Sequence, residues 1–429
     1  MRQAIMTIGV VAAILGSQVS FAKTLEDVLK EKGVITEEDY KTVTRSKSLD
    51  YKLGEGFVFT SPDEKFRTAI GSSFQIRYAL TDLDNANNTA ANKAQNSSRF
   101  ELRRIKLFFN GYAFSRDLTF KLVLNFANSQ NPPTTTGLLE ETWMNYRLLD
   151  EAQLRFGQDK VQFGRQFITS STALQFADLS VVTNAFVPGF DTGLMIHGKI
   201  AGGLVNYNVA GYGGLGQNTF RATSDNAFAA RLTVNPFGDV KYSESDVEYS
   251  RKPLVSLGAD FFRDTVNGSE TNNLNFFGSK GWYGIGNPLM SAARRISAGE
   301  AIDFNTAGID AVFKWLGFSA QGEYFIGQAD GQTTKNTLRA QGFYTQAGYF
   351  VIPKKLEFAA RYAYLDPNRD VVDDHWIETT GAISWYINNH NLKLHADYTN
   401  IHKQKGISFN NGPNATDDRQ VRFQAQMVF

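Results

Sequence analysis

Apolar and polar residues alternate along the first clearly patterned segment of the chain, residues 66–80. Ile76 and Tyr78 fall on one side of an extended backbone, and Gln75 and Arg77 fall on the other. Successive side chains of a strand point to opposite faces, so this pattern predicts a strand with one apolar and one wet face. The same alternation recurs up to the last residues of the chain.

The recurrence predicts an all-β chain that closes into a transmembrane antiparallel β-barrel of about 16 strands, because such barrels interleave lipid-facing and lumen-facing residues and have an even strand number. Beyond the first residues, no apolar run reaches the roughly 20 residues that a membrane-spanning helix needs. The expected strands are 66–80, 100–113, 117–127, 140–149, 152–159, 190–200, 204–211, 225–234, 254–263, 305–314, 317–326, 338–350, 356–365, 376–387, 391–400 and 419–429.

The connections between these strands alternate in length, as they do in outer-membrane barrels. The short set is 115–117, 150–151, 201–203, 315–317, 353–355 and 388–390. The long, polar set is 81–98, 128–139, 160–189, 212–224, 264–304, 327–337, 366–375 and 401–418. The segment 235–253 breaks the rule, since it is long at a place where a short turn is expected, and the sequence offers no reason for it.

The first residues predict export. Arg2 precedes an apolar stretch, and Ser20-Phe21-Ala22 places small residues at the two positions that a signal peptidase reads. We therefore expect residues 1–22 to be a signal peptide cleaved after Ala22, with a membrane anchor as the alternative. The barrel would then occupy residues 66–429 in the outer membrane of a Gram-negative cell.

Residues 23–65 are expected to form a periplasmic N-terminal extension. Leu25 and Leu29 share one helical face, and Gly33 ends that helix. Thr36 and Asp39 have the spacing of an N-cap with an acid three residues later. A coiled-coil contact between subunits, a plug and a tether all remain open as roles for this short segment.

Composition narrows the chemistry. The chain has no cysteine, which excludes disulfides and cysteine-bound zinc or haem. Loss of Arg2 with the signal peptide leaves 43 basic and 43 acidic residues, so bulk charge indicates no nucleic acid partner. Any ion preference must therefore come from where the charges lie.

Charges are expected on the lumen side, because an Arg or Lys facing lipid at mid-depth costs about 2–4 kcal/mol. The first five strands point mainly basic residues inward, opposed by little beyond Glu141: Arg67, Arg77, Arg104, Lys106, Lys121, Arg147 and Arg155. Later strands point a mixed set inward: Asp191, Asp260, Asp310, Glu323, Glu357, Glu378, Asp397, Arg231, Arg361, Lys393 and Arg422. One basic wall predicts a path for small inorganic anions. The alternative is that both signs merely keep the wall hydrated.

The third long loop, 160–189, is less polar than a loop in water should be. Phe163, Phe176 and Phe186 must be buried somewhere. Folding into the barrel would bury them, narrow the pore and bring Lys160 and Arg165 to the constriction. The alternative is packing on the barrel rim or on a neighbouring subunit.

Other chemistry finds little support. The chain carries no recognisable hydrolase, metalloprotease, P-loop or dinucleotide motif, so we expect neither an enzyme nor a cofactor. Asp373-Asp374-His375 could ligate a metal, but a solvated turn is the favoured interpretation. At the C-terminal end of the chain, apolar residues such as Phe423 and Met427 alternate with polar ones up to the terminal Phe429, which looks like the signal read by the barrel-assembly machinery.

Several blocks together resemble the phosphate-selective porin O and P family over nearly all of the chain after residue 22. They are LEDVLKEKGVITEEDY (25–40), RFELRRIKLFFNGYAFSRDLTFKLVLNFA (99–127), LRFGQDKVQFG (154–164), NAFVPGFDTGLMIHG (184–198), NNHNLKLHADYTNIH (388–402) and the terminal Phe429. Phe190 departs from the family, whose members often carry Arg there. The acids of the later strands also dilute a basic ladder.

The resemblance implies a sixteen-stranded barrel, often a homotrimer, with an inward third loop and a basic ladder for phosphate-like anions. Arg104, Lys106 and Lys121 match the family's basic strand pair. The expected function is a water-filled channel for small oxyanions, surrounded by outer-membrane lipid and lipopolysaccharide. A weakly selective general-diffusion porin and a structural barrel that scaffolds the envelope are the alternatives.

Overall fold

A computed structural model describes residues 25–40, 49–82, 96–127, 138–213, 215–219, 221, 223–267, 300–404 and 415–429 of the chain. The expected signal peptide lies outside these residues, so its cleavage stays a prediction. None of the helices in the described segments is long and apolar enough to cross a membrane.

The chain divides into two compact units after Asp50. The first contains helix α1 (Leu25–Glu31). The expected cap at Thr36 is confirmed, since the Asp39 amide donates to Thr36 Oγ1 at 3.0 Å and the Thr36 amide donates to Asp39 Oδ2 at 3.1 Å. These reciprocal bonds form a capping box.

The second unit is a closed antiparallel barrel of sixteen strands, as the alternation predicts. The short strands β1 (Leu49–Lys52) and β2 (Gly56–Thr60) precede it, and β2 pairs with the start of β3. The barrel strands are β3 (Arg67–Asp82), β4 (Ser97–Ala113), β5 (Ser115–Asn125), β6 (Leu139–Leu149), β7 (Ala152–Lys160), β8 (Phe190–Ile200), β9 (Val205–Tyr212), β10 (Ala227–Val234), β11 (Leu254–Val266), β12 (Ile302–Trp315), β13 (Phe318–Gly331), β14 (Thr337–Ile352), β15 (Leu356–Asp366), β16 (Trp376–Asn388), β17 (Leu392–Lys403) and β18 (Thr416–Val428). Pairing of β18 with β3 closes the circle.

All sixteen expected strands are present. The largest difference between a predicted and an observed strand boundary lies at the end of the barrel that carries the longer loops, here called the long-loop end. Strand β13 continues to Gly331, five residues beyond the expected 326. Its pairing with β12 persists there, as Gln328 lies opposite Asn305. The outward-facing residues at this end of β13, Gln328 and Asp330, are polar, so the apolar alternation stops while backbone pairing continues.

The barrel strands face as the sequence predicts. On β3, Gln75 and Arg77 are buried in the interior, whereas Ile76 and Leu80 are exposed on the outer surface. Outward apolar and inward polar residues are the arrangement of a barrel that has lipid outside and a polar lumen.

The third long loop, residues 161–189 and here called L3, folds into the barrel, which confirms the inward placement. It contains helices α2 (Arg165–Ile168) and α3 (Val181–Phe186). Phe163 and Phe186 are fully buried against Phe325 of β13, with ring centroids 5.6 and 5.5 Å away. L3 thus builds an apolar core inside a polar barrel, because its phenyl rings leave water only there.

The exceptional segment 235–253, the β10–β11 turn, also enters the lumen, from the short-turn end. Glu244 is buried and accepts hydrogen bonds from the Gln166 side chain at 2.8 Å and the Gln175 amide at 2.6 Å. Ser245 donates to Glu357 of β15 at 2.8 Å. The unusual length of the β10–β11 turn therefore lets it reach L3 inside the barrel and hold it in place from the short-turn end.

Candidate functional site

A cavity of about 520 Å3 lies inside the barrel between L3, the β10–β11 turn and the inner face of strands β4–β9. We call it the basic passage. Six basic and three acidic side chains line it, a net formal charge of +3: Lys106, Lys121, Arg155, Lys160, Lys199, Lys241, Glu141, Asp159 and Asp239. Polar groups such as His197 and Asn208 complete the wall. The wall is therefore wet and positively charged.

Lys106, Lys121 and Arg155 project into the passage from strands β4, β5 and β7. Their side chains are 14%, 33% and 22% exposed, so Lys121 is the most accessible of the three. Stacking over the Trp143 ring, 4.1 Å from its centroid, holds the Arg155 guanidinium in place. The three cations form one face that a passing ion can approach.

Each of these cations also has a carboxylate partner. Lys106 pairs with Glu140, Lys121 pairs with Glu141, and Arg155 pairs with Asp159 at 2.6 Å. Consecutive residues Glu140 and Glu141 both face inward because the β5–β6 register shifts between Val123 and Leu124. A bulge of this kind breaks the alternation of side chains. The passage is basic in sum, with acids that hold the bases in position.

Lys160 ties the passage to L3. Its Nζ donates to the backbone carbonyls of Phe167 at 2.6 Å and Thr169 at 2.9 Å. These carbonyls end helix α2, where a cation satisfies the otherwise unpaired acceptors. Lys160 therefore lines the passage and fixes the position of the loop that bounds it.

A second group of basic residues surrounds Asp178 of L3. Arg77 and Arg103 each lie 2.9 Å from its carboxylate, Arg104 lies 3.5 Å away and Arg422 lies 3.7 Å away. Burial raises the pKa of a carboxyl, but these guanidinium groups hold the pKa of Asp178 well below its usual range. A cavity of about 380 Å3 adjoins this arginine cluster.

The remaining expected site residues lie elsewhere. Arg165 is buried beneath the Tyr242 ring and donates to Ser256 at 3.0 Å. Arg231 is buried and pairs with Asp260 and with Asp310, the latter at 2.6 Å. Arg165 therefore ties L3 to β11, and Arg231 joins β10 to β11 and β12. Neither arginine belongs to the described lining of the basic passage.

Arg147 lies at the short-turn end of β6. It contacts Asp117 at 2.7 Å and Asp150 at 3.3 Å, and its side chain is 46% exposed. Asp117 lies near the start of β5 and Asp150 lies in the β6–β7 turn, so Arg147 joins the short-turn ends of neighbouring strands. The sequence grouped it with the inward bases because strict alternation was extended to the end of the strand.

Sequence reasoning missed several residues of these sites. Arg103 was not among the predicted inward residues, yet a register shift beside Gln75 and Ile76 lets it join Arg104 in the lumen. Lys241 lines the passage from the β10–β11 turn, for which the sequence predicted no role. Asp178 is the only acid in a largely apolar loop, and this was the one sequence feature that could have identified it as a site residue. The expected solvated turn at 373–375 is wrong for Asp374, which is 4% exposed.

Comparison with known proteins agrees with this architecture. The model of the family "Phosphate-selective porin O and P" matches residues 70–429. A curated relative, an uncharacterized protein of Aquifex aeolicus (strain VF5), is 23% identical over 415 residues, which cover 87% of this chain and 90% of the relative.

Solved structures share the fold at low identity. An anion-selective porin from Comamonas acidovorans superposes with a TM-score of 0.55 at 10% identity, covering 84% of this chain and 99% of that one. The outer membrane channel DcaP of Acinetobacter baumannii superposes with a TM-score of 0.52 at 13% identity, covering 86% and 99%. With a family match that spans most of its length and a closed sixteen-stranded barrel, this chain belongs to the porin O and P family and is an outer-membrane channel.

Proposed function

We propose that this porin conducts small oxyanions, with phosphate-like ions preferred, through the basic passage. The observation that carries the proposal is the net charge of +3 on the described lining, whose bases come from β4, β5, β7, β8 and the β10–β11 turn. Lysine and arginine on a pore wall favour anions, and they donate several hydrogen bonds to the oxygens of phosphate or sulfate.

The position of L3 supports a narrow path. L3 and the β10–β11 turn meet at Glu244 and cover the inner faces of the later strands. Ions would then pass close to Lys121 and Arg155. At an effective dielectric constant of about 20, a unit charge about 4 Å from an ion is worth roughly 4 kcal/mol before screening. Salt at physiological strength screens charges beyond about 8 Å, so a narrow path is what lets a few bases select ions.

The family name and one neighbour point the same way. The family is described as phosphate-selective, and the porin of Comamonas acidovorans is described as anion-selective. A trimer form is described for OmpT of Vibrio cholerae, whose structure superposes with a TM-score of 0.50 at 10% identity. We extend these descriptions to this chain as proposals: an anion channel that assembles as a homotrimer among outer-membrane lipid and lipopolysaccharide.

Bilayer recording of the purified protein in a potassium chloride gradient tests the proposal. We expect a reversal potential that favours chloride, and partial block of the chloride current by added phosphate. The double variant Lys106→Gln/Lys121→Gln should lose most of both effects and keep its conductance. Glu141→Gln removes a lining acid and should shift the reversal potential further towards chloride.

A matched control is Lys335→Gln/Lys354→Gln, which removes two charges from exposed positions outside the passage. Its reversal potential should equal that of the wild type. A wild-type pore that prefers cations, or a Lys106/Lys121 variant with unaltered selectivity, would favour a general-diffusion porin. A folded barrel without conductance would favour a structural role.

A further inference from the structure

Three potential metal ligands converge where the loop 367–375 joins β15 to β16. Asp366 ends β15, and Asp374 and His375 immediately precede β16. One carboxylate oxygen from each aspartate and one ring nitrogen of the histidine all lie within 4.8 Å of one another. The three side chains come from both ends of one loop, so the chain brings them together by closing it.

Both carboxylates are buried and lack sufficient partners. Asp374 is 4% exposed, and neither of its carboxylate oxygens has a hydrogen-bond partner. Asp366 is 5% exposed; its Oδ2 accepts from the Gln341 side chain at 3.2 Å, while its Oδ1 has no partner. A buried carboxylate without compensation is costly, so this pair calls for a proton or a cation.

The third member of the cluster, His375, lies beside these two carboxylates. His375 is held in place, since its carbonyl accepts from the Gln404 amide at 2.9 Å and its ring lies 5.0 Å from the ring of Tyr364. The histidine is thus positioned beside two carboxylates that need neutralising.

We propose that Asp366, Asp374 and His375 bind a divalent transition-metal ion of the Zn2+ class. An imidazole nitrogen together with carboxylate oxygens suits Zn2+ and its neighbours, whereas Ca2+ and Mg2+ prefer oxygen ligands alone. Two carboxylates and a neutral histidine would balance the charge of the ion. The bound ion would join the end of β15 to the start of β16 and hold loop 367–375 on the rim of the barrel.

The test uses the full-length chain without a histidine tag, refolded in detergent and stripped with a chelator. Calorimetric titration with Zn2+ should show about one bound ion per chain, and bound Zn2+ should raise the unfolding temperature. Asp374→Asn should weaken binding by about tenfold or more, because one of three ligands is lost. Asp373→Asn is the matched control, since Asp373 is the exposed neighbour and should bind Zn2+ like the wild type.

Heat-modifiable gel mobility should be checked for every variant, so that failure to fold is recognised. His375→Gln provides a second ligand variant if Asp374→Asn does not fold, and it should weaken the binding of Zn2+ by a similar factor. Absence of Zn2+ binding to folded wild type, or equal binding by both aspartate variants, would overturn the site. Tighter binding of Ca2+ or Mg2+ than of Zn2+ would overturn the class of ion.

Discussion

The lumen has two walls that differ less in their charges than in what covers them. The open wall, strands β4–β9, faces the basic passage with Lys106, Lys121 and Arg155. The covered wall, strands β10–β18, carries Arg231, Arg361 and several acids, but L3 and the β10–β11 turn lie on it. An inward charge becomes part of a pore only where no chain segment lies over it.

The acids of the covered wall form hydrogen bonds with the backbone of L3. Glu323 accepts hydrogen bonds from the backbone amides of Arg165 and Gln166, each at 2.6 Å. Glu378 accepts a hydrogen bond from the Val181 amide at 2.6 Å, and Asp397 accepts one from the Ala177 amide at 3.0 Å. Acids that the sequence placed in the lumen therefore satisfy the backbone of L3, whose buried amides need partners. They hold the loop, and under the proposed function the loop confines ions to the open wall.

The largest expected effect comes from loosening the cover. Phe186 is fully buried and stacks on Phe325, so Phe186→Ala should lower the free energy of unfolding by about 3–5 kcal/mol. With L3 less firmly held, ions should gain access to the covered wall. We expect larger and noisier single-channel currents and a weaker preference for chloride.

The control for this change is Phe237→Ala, because Phe237 is 64% exposed in the β10–β11 turn. Its conductance and stability in chemical denaturation should match those of the wild type. If Phe186→Ala were destabilised yet kept wild-type conductance and selectivity, L3 would not be what confines the ion path.

The next expected effect concerns Asp178, which lies where the two walls meet. Asp178→Asn keeps the shape but leaves Arg77, Arg103, Arg104 and Arg422 without their shared carboxylate. Breaking such a buried pairing costs about 3–5 kcal/mol when one partner is removed. The excess positive charge should shift the reversal potential towards chloride and strengthen block by phosphate.

The pH dependence of that variant follows from the depressed pKa of Asp178. The wild-type carboxylate stabilises the fold above the pKa it has in the unfolded chain, and that stability is lost as pH falls through the lower folded value. The difference in stability between wild type and Asp178→Asn should therefore persist at neutral and mildly acidic pH and shrink only in strong acid. A reversal potential identical in the two proteins at neutral pH would remove the arginine cluster from the ion path.

The barrel was predictable from sequence because lipid and water impose opposite demands on alternate residues. Ile76 and Arg77 are consecutive residues of one strand, so one faces outward and the other faces the lumen. The alternation can therefore be recognised from a short stretch of sequence. The inward fold of L3 was predictable for a related reason, since Phe163 and Phe186 had to leave water. Both inferences use only the residues of one segment.

The site was predictable only in part, because its details depend on register and on distant contacts. Lys106, Lys121, Arg155 and Lys160 do line the passage. Strict alternation could not foresee the bulges that turn Arg103 and Glu140 inward. Nor could it foresee Glu244, whose partner Gln166 lies 78 residues away. Such contacts follow from the closed barrel and leave no periodic signal.

The smallest expected effect on stability lies at the seam where β18 of the covered wall meets β3. The Phe429 amide donates to the Ser72 carbonyl at 3.0 Å, the Ser72 amide donates to the Phe429 carbonyl at 2.7 Å, and the ring stacks on Phe74. Each backbone bond contributes about 0.5–1.5 kcal/mol net, so deletion of Phe429 should lower the stability of the refolded barrel only modestly.

The role of Phe429 as an assembly signal can be separated from its role in the seam. Phe429→Leu keeps both backbone bonds and removes the aromatic ring, whereas deletion removes the ring and the bonds. If the ring is what the barrel-assembly machinery reads, both variants should be depleted from the outer membrane to a similar degree, although Phe429→Leu refolds in detergent with nearly wild-type stability. Depletion of the deletion variant alone would show instead that the seam limits assembly, because both proteins lack the terminal ring and only Phe429→Leu keeps the closing hydrogen bonds between β18 and β3.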